Sequence, residues 1–148
     1  MTAFSDGYPA LLASEASMAA LNARLAKSIS ISRFRANIIV DSDVAPFAED
    51  TWDEFTLGQL RFQCLKPCSR CVVPSLDPET AERGDEPNES MATFRTGDQL
   101  GFVSKSTAEN FANAIFMGQN IAWPHTQLGQ LLRVGDPVAV LSRLPKPT

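Results

Sequence analysis

Long apolar runs are missing from this sequence of 148 residues. No stretch approaches the roughly 18 consecutive apolar residues that a membrane-spanning helix needs. Its opening, Met1 to Gly7, has neither a basic region followed by an apolar stretch nor an arginine-rich amphipathic pattern. As written, the chain is therefore expected to be soluble and untargeted, with the cytoplasm favoured. A surplus of positive charge is also absent: 13 Lys and Arg face 17 Asp and Glu, a net charge of −4. That balance excludes a general nucleic-acid binder, whose phosphate contacts need a basic surface, while leaving room for a few arginines to converge in one pocket. Histidine is nearly absent, with His125 alone. It follows Trp123-Pro124 without an evident partner, so a surface or packing role is expected.

What is present suits one globular domain, expected over residues 1–148. Hydrophobic residues make up 44% and charged residues 20%, too apolar for a disordered chain. Residues 14–27 (SEASMAALNARLAK) predict a helix, with Ser14 as cap, Glu15 in the first turn and Lys27 in the last. Met18, Leu21 and Leu25 give it one apolar stripe. Extended stretches are expected at Ile38-Ile39-Val40, Leu57 to Leu65, Cys71-Val72-Val73, Phe111 to Phe116 and Pro137 to Leu141. Pro67 offers no amide hydrogen to a ladder and fits a strand start or loop. Residues 77–90 read as a polar surface loop, with a short helix after it near Ser90 to Phe94. The fold class expected is α+β, mainly β.

The chemistry concentrates at three cysteines. Cys64, Cys68 and Cys71 fall within eight residues, and the remainder of the chain has none. A clustered, odd set without a secretory signal points to thiol or metal chemistry rather than a disulfide framework. A thiolate suits zinc, copper(I), iron–sulfur clusters or high-valent molybdenum. Arg70, next to Cys71, can favour that thiolate if the fold brings its charge near. Tetrahedral zinc needs four ligands, and only Cys64 and His125 could complete Cys68 and Cys71, without knuckle spacing. A thioredoxin-like pair lacks its βαβ surroundings, and an iron–sulfur cluster lacks a fourth thiolate. A buried structural cysteine is the reading for Cys64 and stays open for Cys68.

Arg33-Phe34-Arg35-Ala36-Asn37 precedes the Ile38-Ile39-Val40 run. Guanidinium forks at a strand mouth match phosphate oxygens. Taken alone, the segment is better explained as a charged edge that discourages strand pairing. Arg95 is a similar isolated candidate. Asp6, in Asp6-Gly7-Tyr8-Pro9, is either a proton carrier near a reactive centre or a turn residue. In the acidic stretch from Glu49 to Glu54, Trp52 is expected to anchor a loop while its neighbours stay in water.

In order and spacing, Asp6-Gly7-Tyr8-Pro9, Ser14-Glu15-Ala16-Ser17, Leu21 to Leu25, Arg33 to Asn37, Ala48 to Glu54, Lys66-Pro67-Cys68-Ser69-Arg70-Cys71 and Asp77-Pro78-Glu79-Thr80 resemble the MOSC domain. The branch resembled includes the mitochondrial amidoxime reducing component and its bacterial relatives. The likeness is strong over about residues 4–95 and resumes at Gly118-Gln119-Asn120 and Val134 to Val138; residues 100–133 diverge. It implies a MOSC-type β-barrel with peripheral helices, holding a pyranopterin molybdenum cofactor. The second cysteine of the motif, Cys71, would be the metal ligand. Ser69 and Arg70 would contact the cofactor, and Arg35 and Asn37 would grip its pterin or phosphate. Asp6 matches an acidic residue near the metal, and Asn120 stands where the family usually has an aromatic.

The resemblance further implies an oxidoreductase that removes oxygen from small N-hydroxylated compounds, with electrons from a separate redox protein. Two departures stand out. The family's N-terminal β-rich segment is not in this sequence, so the chain corresponds to the C-terminal part of the usual length. Its arginine–proline–asparagine is here Arg35-Ala36-Asn37, a change at a position that sets backbone shape rather than chemistry. The alternatives are a non-catalytic MOSC remnant, carrying cofactor or sulfur or binding a partner, and a small zinc module.

Overall fold

The computed structural model describes residues 8–41, 44–71, 73–101 and 113–144. Six strands form one sheet: β1 (Ala10–Ser14), β2 (Ile38–Val40), β3 (Glu54–Leu57), β4 (Leu60–Ser69), β5 (Phe116–Ala122) and β6 (Val138–Val140). Their order is β2-β1-β5-β4-β3-β6. All neighbours are antiparallel except β1 and β2. A parallel pair cannot be closed by a hairpin, and helix α1 (Glu15–Asn22) with the turns after it supplies the crossover. Val40 of one edge strand and Val138 and Val140 of the other pack into the same core around Leu12, Trp52, Phe55, Phe62 and Ile121. The sheet thus wraps around one interior as a nearly closed six-stranded barrel, the architecture that the resemblance implies. A second cluster, built on Met18, Leu21, Phe34, Met91 and Met117, joins α1 to the outside of the sheet. No described helix is long and apolar enough to cross a membrane.

Several elements differ from expectation for identifiable reasons. Ser14 does cap α1, accepting from the Ser17 amide at 3.3 Å. The helix nevertheless stops at Asn22 rather than Lys27, because the Asn22 side chain bonds both the amide and the carbonyl of Ile29 and folds the chain back. β1 is a strand of Ala and Leu, good helix formers, yet it lies between β2 and β5, where sheet partners override local preference. The strand expected at Cys71 to Val73 is not seen at its two described residues, Cys71 and Val73. β4 ends at Ser69, and Val73–Ser75 forms a 3-10 turn containing Pro74, which has no amide to extend a ladder. Val72 lies outside the described residues.

Pro67, instead of starting a strand, sits within β4 opposite Gln119, between two register shifts that loosen the ladder. A late strand comes at Phe116–Ala122, so the expected Phe111 to Phe116 stretch meets it only at Phe116; residues 111 and 112 lie outside the described residues. Nor do all the acidic neighbours of Trp52 stay in water. Trp52 is a core residue, Glu49 is 1% exposed, and Asp50 pairs with Arg95 at 2.7 Å.

Candidate functional site

A cavity of about 520 Å³ opens where the end of β4 meets β5 and the start of β2. Around it stand Arg35 and Asn37 from the segment before β2, Cys68 and Ser69 from β4, and Arg70 and Cys71 just beyond. Asn120 of β5 completes the group. The fold therefore gathers every site residue implied by the family resemblance except Asp6, which lies outside the described residues.

Local backbone geometry sets each wall. Ser30 caps a 3-10 turn over Ile31–Phe34, and Arg35 closes it in the left-handed region at φ 54°. That reversal is uncommon for a residue with a Cβ. It leaves Arg35 exposed beside the cavity and sends Asn37 to β1. The Asn37 amide donates to the Leu11 carbonyl at 2.9 Å, and its Oδ1 accepts from the Leu11 amide at 2.8 Å. Asn37 thus begins the parallel β1–β2 pairing while facing the cavity.

Arg70 is the most constrained of the basic residues. Its amide donates to the Ile115 carbonyl at 2.8 Å. In the side chain, Nε donates to the Met117 carbonyl and Nη1 to the Phe34 carbonyl, each at 2.9 Å, with the guanidinium 5.1 Å from the Phe34 ring centre. Nη2 is buried without a partner among the described residues. Burial lowers the Arg70 pKa, opposed by the Cys68 and Cys71 thiols. Gly118 makes room for this arrangement: at φ +86°, a Cβ there would lie 2.8 Å from the Leu12 carbonyl oxygen and 3.4 Å from Arg70 Nη2.

The three thiols occupy different environments. Cys64 is in the barrel core, where burial first, and the Asp53, Glu49 and Asp50 carboxylates next, push its thiol up to about 12. A thiol held protonated in that way is inert. Burial also raises the pKa of Cys68, while the Arg70 charge and the Asn120 amide oppose the rise. Cys71 is exposed, with its carbonyl accepting from Asn88 Nδ2 at 3.0 Å. With Cys64 in the core and His125 exposed on a 3-10 turn, no three His, Cys, Asp or Glu side chains converge on a metal position among the described residues. That speaks against a zinc knuckle.

Arg95 is not an anion candidate. It is 2% exposed, grips both carboxylate oxygens of Asp50 at 2.7 and 3.1 Å, and donates from Nε to the Phe116 carbonyl at 2.9 Å. Gln119 adds a further donor to Asp50 at 3.1 Å. Sequence reasoning missed Lys66, which lines the cavity 5.6 Å from the Tyr8 ring centre, and Asn88. Lys66 stands within the quoted cysteine motif; nothing near Asn88 in sequence marks it.

An exposed soft ligand, a buried guanidinium nitrogen without a partner and neighbouring basic side chains make a donor set that fits an anionic, metal-bearing group. The family model for the MOSC domain matches residues 2–139. The chain belongs to the MOSC domain family. This MOSC domain is 37% identical over 142 residues to mitochondrial amidoxime-reducing component 1 of Xenopus laevis, an overlap of 95% of this chain and 38% of that protein. It is 34% identical to the Homo sapiens protein of the same name, over 95% of this chain and 39% of the relative. Against mitochondrial amidoxime reducing component 2 of Bos taurus the identity is 35%, covering 92% and 38% respectively. This MOSC domain thus spans well under half the length of these relatives.

Proposed function

We propose that this chain is the cofactor-holding MOSC domain of a molybdenum-dependent reductase of N-hydroxylated compounds, with Cys71 as the metal ligand. The observation that carries this reading is the meeting of the exposed Cys71 thiol and the unpartnered Arg70 nitrogen around one cavity. Arg35 and Asn37 would hold the pterin or its phosphate, Ser69 and Arg70 would contact the cofactor, and Asn120 would lie beside it. Lys66 adds positive charge to the same wall. Asp6 would supply an acid near the metal.

When bound, the cofactor would supply a metal able to take oxygen from an N-hydroxylated substrate. The overall reduction consumes an electron pair and two protons and releases water. The electrons would come from a separate redox protein. The chain's own residues bind and orient: Arg35 and Arg70 neutralise anionic oxygens, and the carbonyls of Phe34 and Met117 keep the Arg70 plane fixed.

Protein made in a host that synthesises the cofactor should carry molybdenum and pterin, and Cys71→Ala should lose the metal while keeping its circular dichroism spectrum. Metal analysis of the parent protein that finds no molybdenum overturns the reading. Protein that holds both components yet cannot reduce an amidoxime with a competent donor would instead be a cofactor carrier.

A further inference from the structure

We infer that Asn88, far from the cysteine motif in sequence, is the positioning residue that holds the Cys71 main chain at the cavity. The inference rests on Cys71 being the functional thiol. The segment carrying Cys71 leaves the sheet at Ser69 and, among the described residues, Arg70 and Cys71 belong to no strand. It is held on one side by the Arg70 amide, which donates to the Ile115 carbonyl at 2.8 Å. On the other, Asn88 Nδ2 donates to the Cys71 carbonyl at 3.0 Å. A carbonyl only accepts, so the orientation of the Asn88 amide is fixed by chemistry. The same orientation leaves Asn88 Oδ1 buried without a partner among the described residues. Such an atom is costly to bury, so the donor side of the amide must justify its placement.

The route that brings Asn88 there is a specific piece of structure. Within the polar segment expected to be only a surface loop, Asp77 Oδ1 accepts from the Glu79 and Thr80 amides, and these bonds lower its pKa. The turn closes through the Asp77 amide on the Glu82 carbonyl and the Gly84 amide on the Ser75 carbonyl, at 2.9 Å each. Leu76 and Arg83 form a β-bridge across it. The chain thus returns to its starting point, and the next residues enter helix α2 (Asn88–Met91), with Met91 fully buried in the second core. Met91 anchors the helix and Asn88 presents its amide to Cys71.

The test is site-resolved alkylation of the folded chain by iodoacetamide, read by mass spectrometry at all three cysteines. Asn88→Leu keeps the side-chain volume and removes the donor. It should raise the population in which the Cys71 main chain has left its place by about fivefold, the shift expected when one hydrogen bond of ordinary net strength is lost, and change the Cys71 alkylation rate with it. Cys64 and Cys68 should change by less than about twofold, and the Cys71 carbonyl carbon should shift in the NMR spectrum. An unchanged Cys71 rate overturns the inference. So does a parallel rise at Cys64, which would mean general loosening of the fold. Neither readout needs the cofactor, so a chain that binds no molybdenum but shows the selective effect would separate this inference from the proposed function.

Discussion

Two arginines hold consecutive carbonyls of one strand and are left in opposite electrostatic states. Arg95 Nε takes the Phe116 carbonyl and Arg70 Nε the Met117 carbonyl, each at 2.9 Å. On the Arg95 side, the remaining donors are spent on Asp50, and Gln119 reinforces the carboxylate. On the Arg70 side, among the described residues, the acceptors are neutral carbonyls, no carboxylate arrives, and Nη2 faces no partner. A buried charge paired with its opposite holds the fold together; one surrounded only by dipoles keeps its attraction for an anion. Side-chain type does not distinguish these roles.

The strongest way to break this comparison is Arg95→Met. It strands Asp50 as a partly buried, unpaired charge and should cost about 3–5 kcal/mol in urea unfolding. Adding Asp50→Leu should restore much of that loss. If the single variant unfolds no more easily than Arg70→Met, the division of roles is mistaken.

Glu49 sharpens the same side. Burial is the main cause of its raised pKa, with the Ser17 hydrogen bond opposing. The unfolded carboxyl ionises near its ordinary 4.5 while the folded one keeps its proton to higher pH. Stability is therefore unpenalised below 4.5 and falls as pH rises through the folded value, at up to about 1.4 kcal/mol per pH unit. Glu49→Gln should flatten that fall in a series of denaturation curves between mildly acidic and neutral pH. A variant with an unchanged slope would remove Glu49 as its source.

The smallest expected stability change is at Arg70 itself. Arg70→Met frees two carbonyls but also relieves a buried charge, for a net loss of about 1 kcal/mol. Its effect should lie in ligand response. Inorganic phosphate should raise the melting temperature of the parent protein and leave that of Arg70→Met unmoved. An equal rise in both would deprive Arg70 of its anion role.

The sequence made parts of this division legible. The cysteine motif marked one wall, the Arg33 to Asn37 segment marked another only through the family resemblance, its residues alone favouring a charged edge, and the ordered family motifs indicated a barrel. β1 was hidden because its Ala and Leu residues favour a helix, and only the flanking β2 and β5 make it a strand. Arg95 resembled Arg35 because its partner Asp50 lies 45 residues away. Asn88 gave no signal either, since its target carbonyl is 17 residues back across a closed turn. The core could be read from hydrophobic pattern; the pairing of polar groups was decided by tertiary proximity.

Asn37 carries a further consequence. Its backbone and side chain stitch the first rung of the β1–β2 ladder, and the same residue lines the cavity. Binding and folding are therefore not separable quantities at this edge. An occupant that engages the Asn37 amide works directly on the seam of the barrel, and fraying of that seam reduces affinity by the same free energy with which occupancy resists fraying.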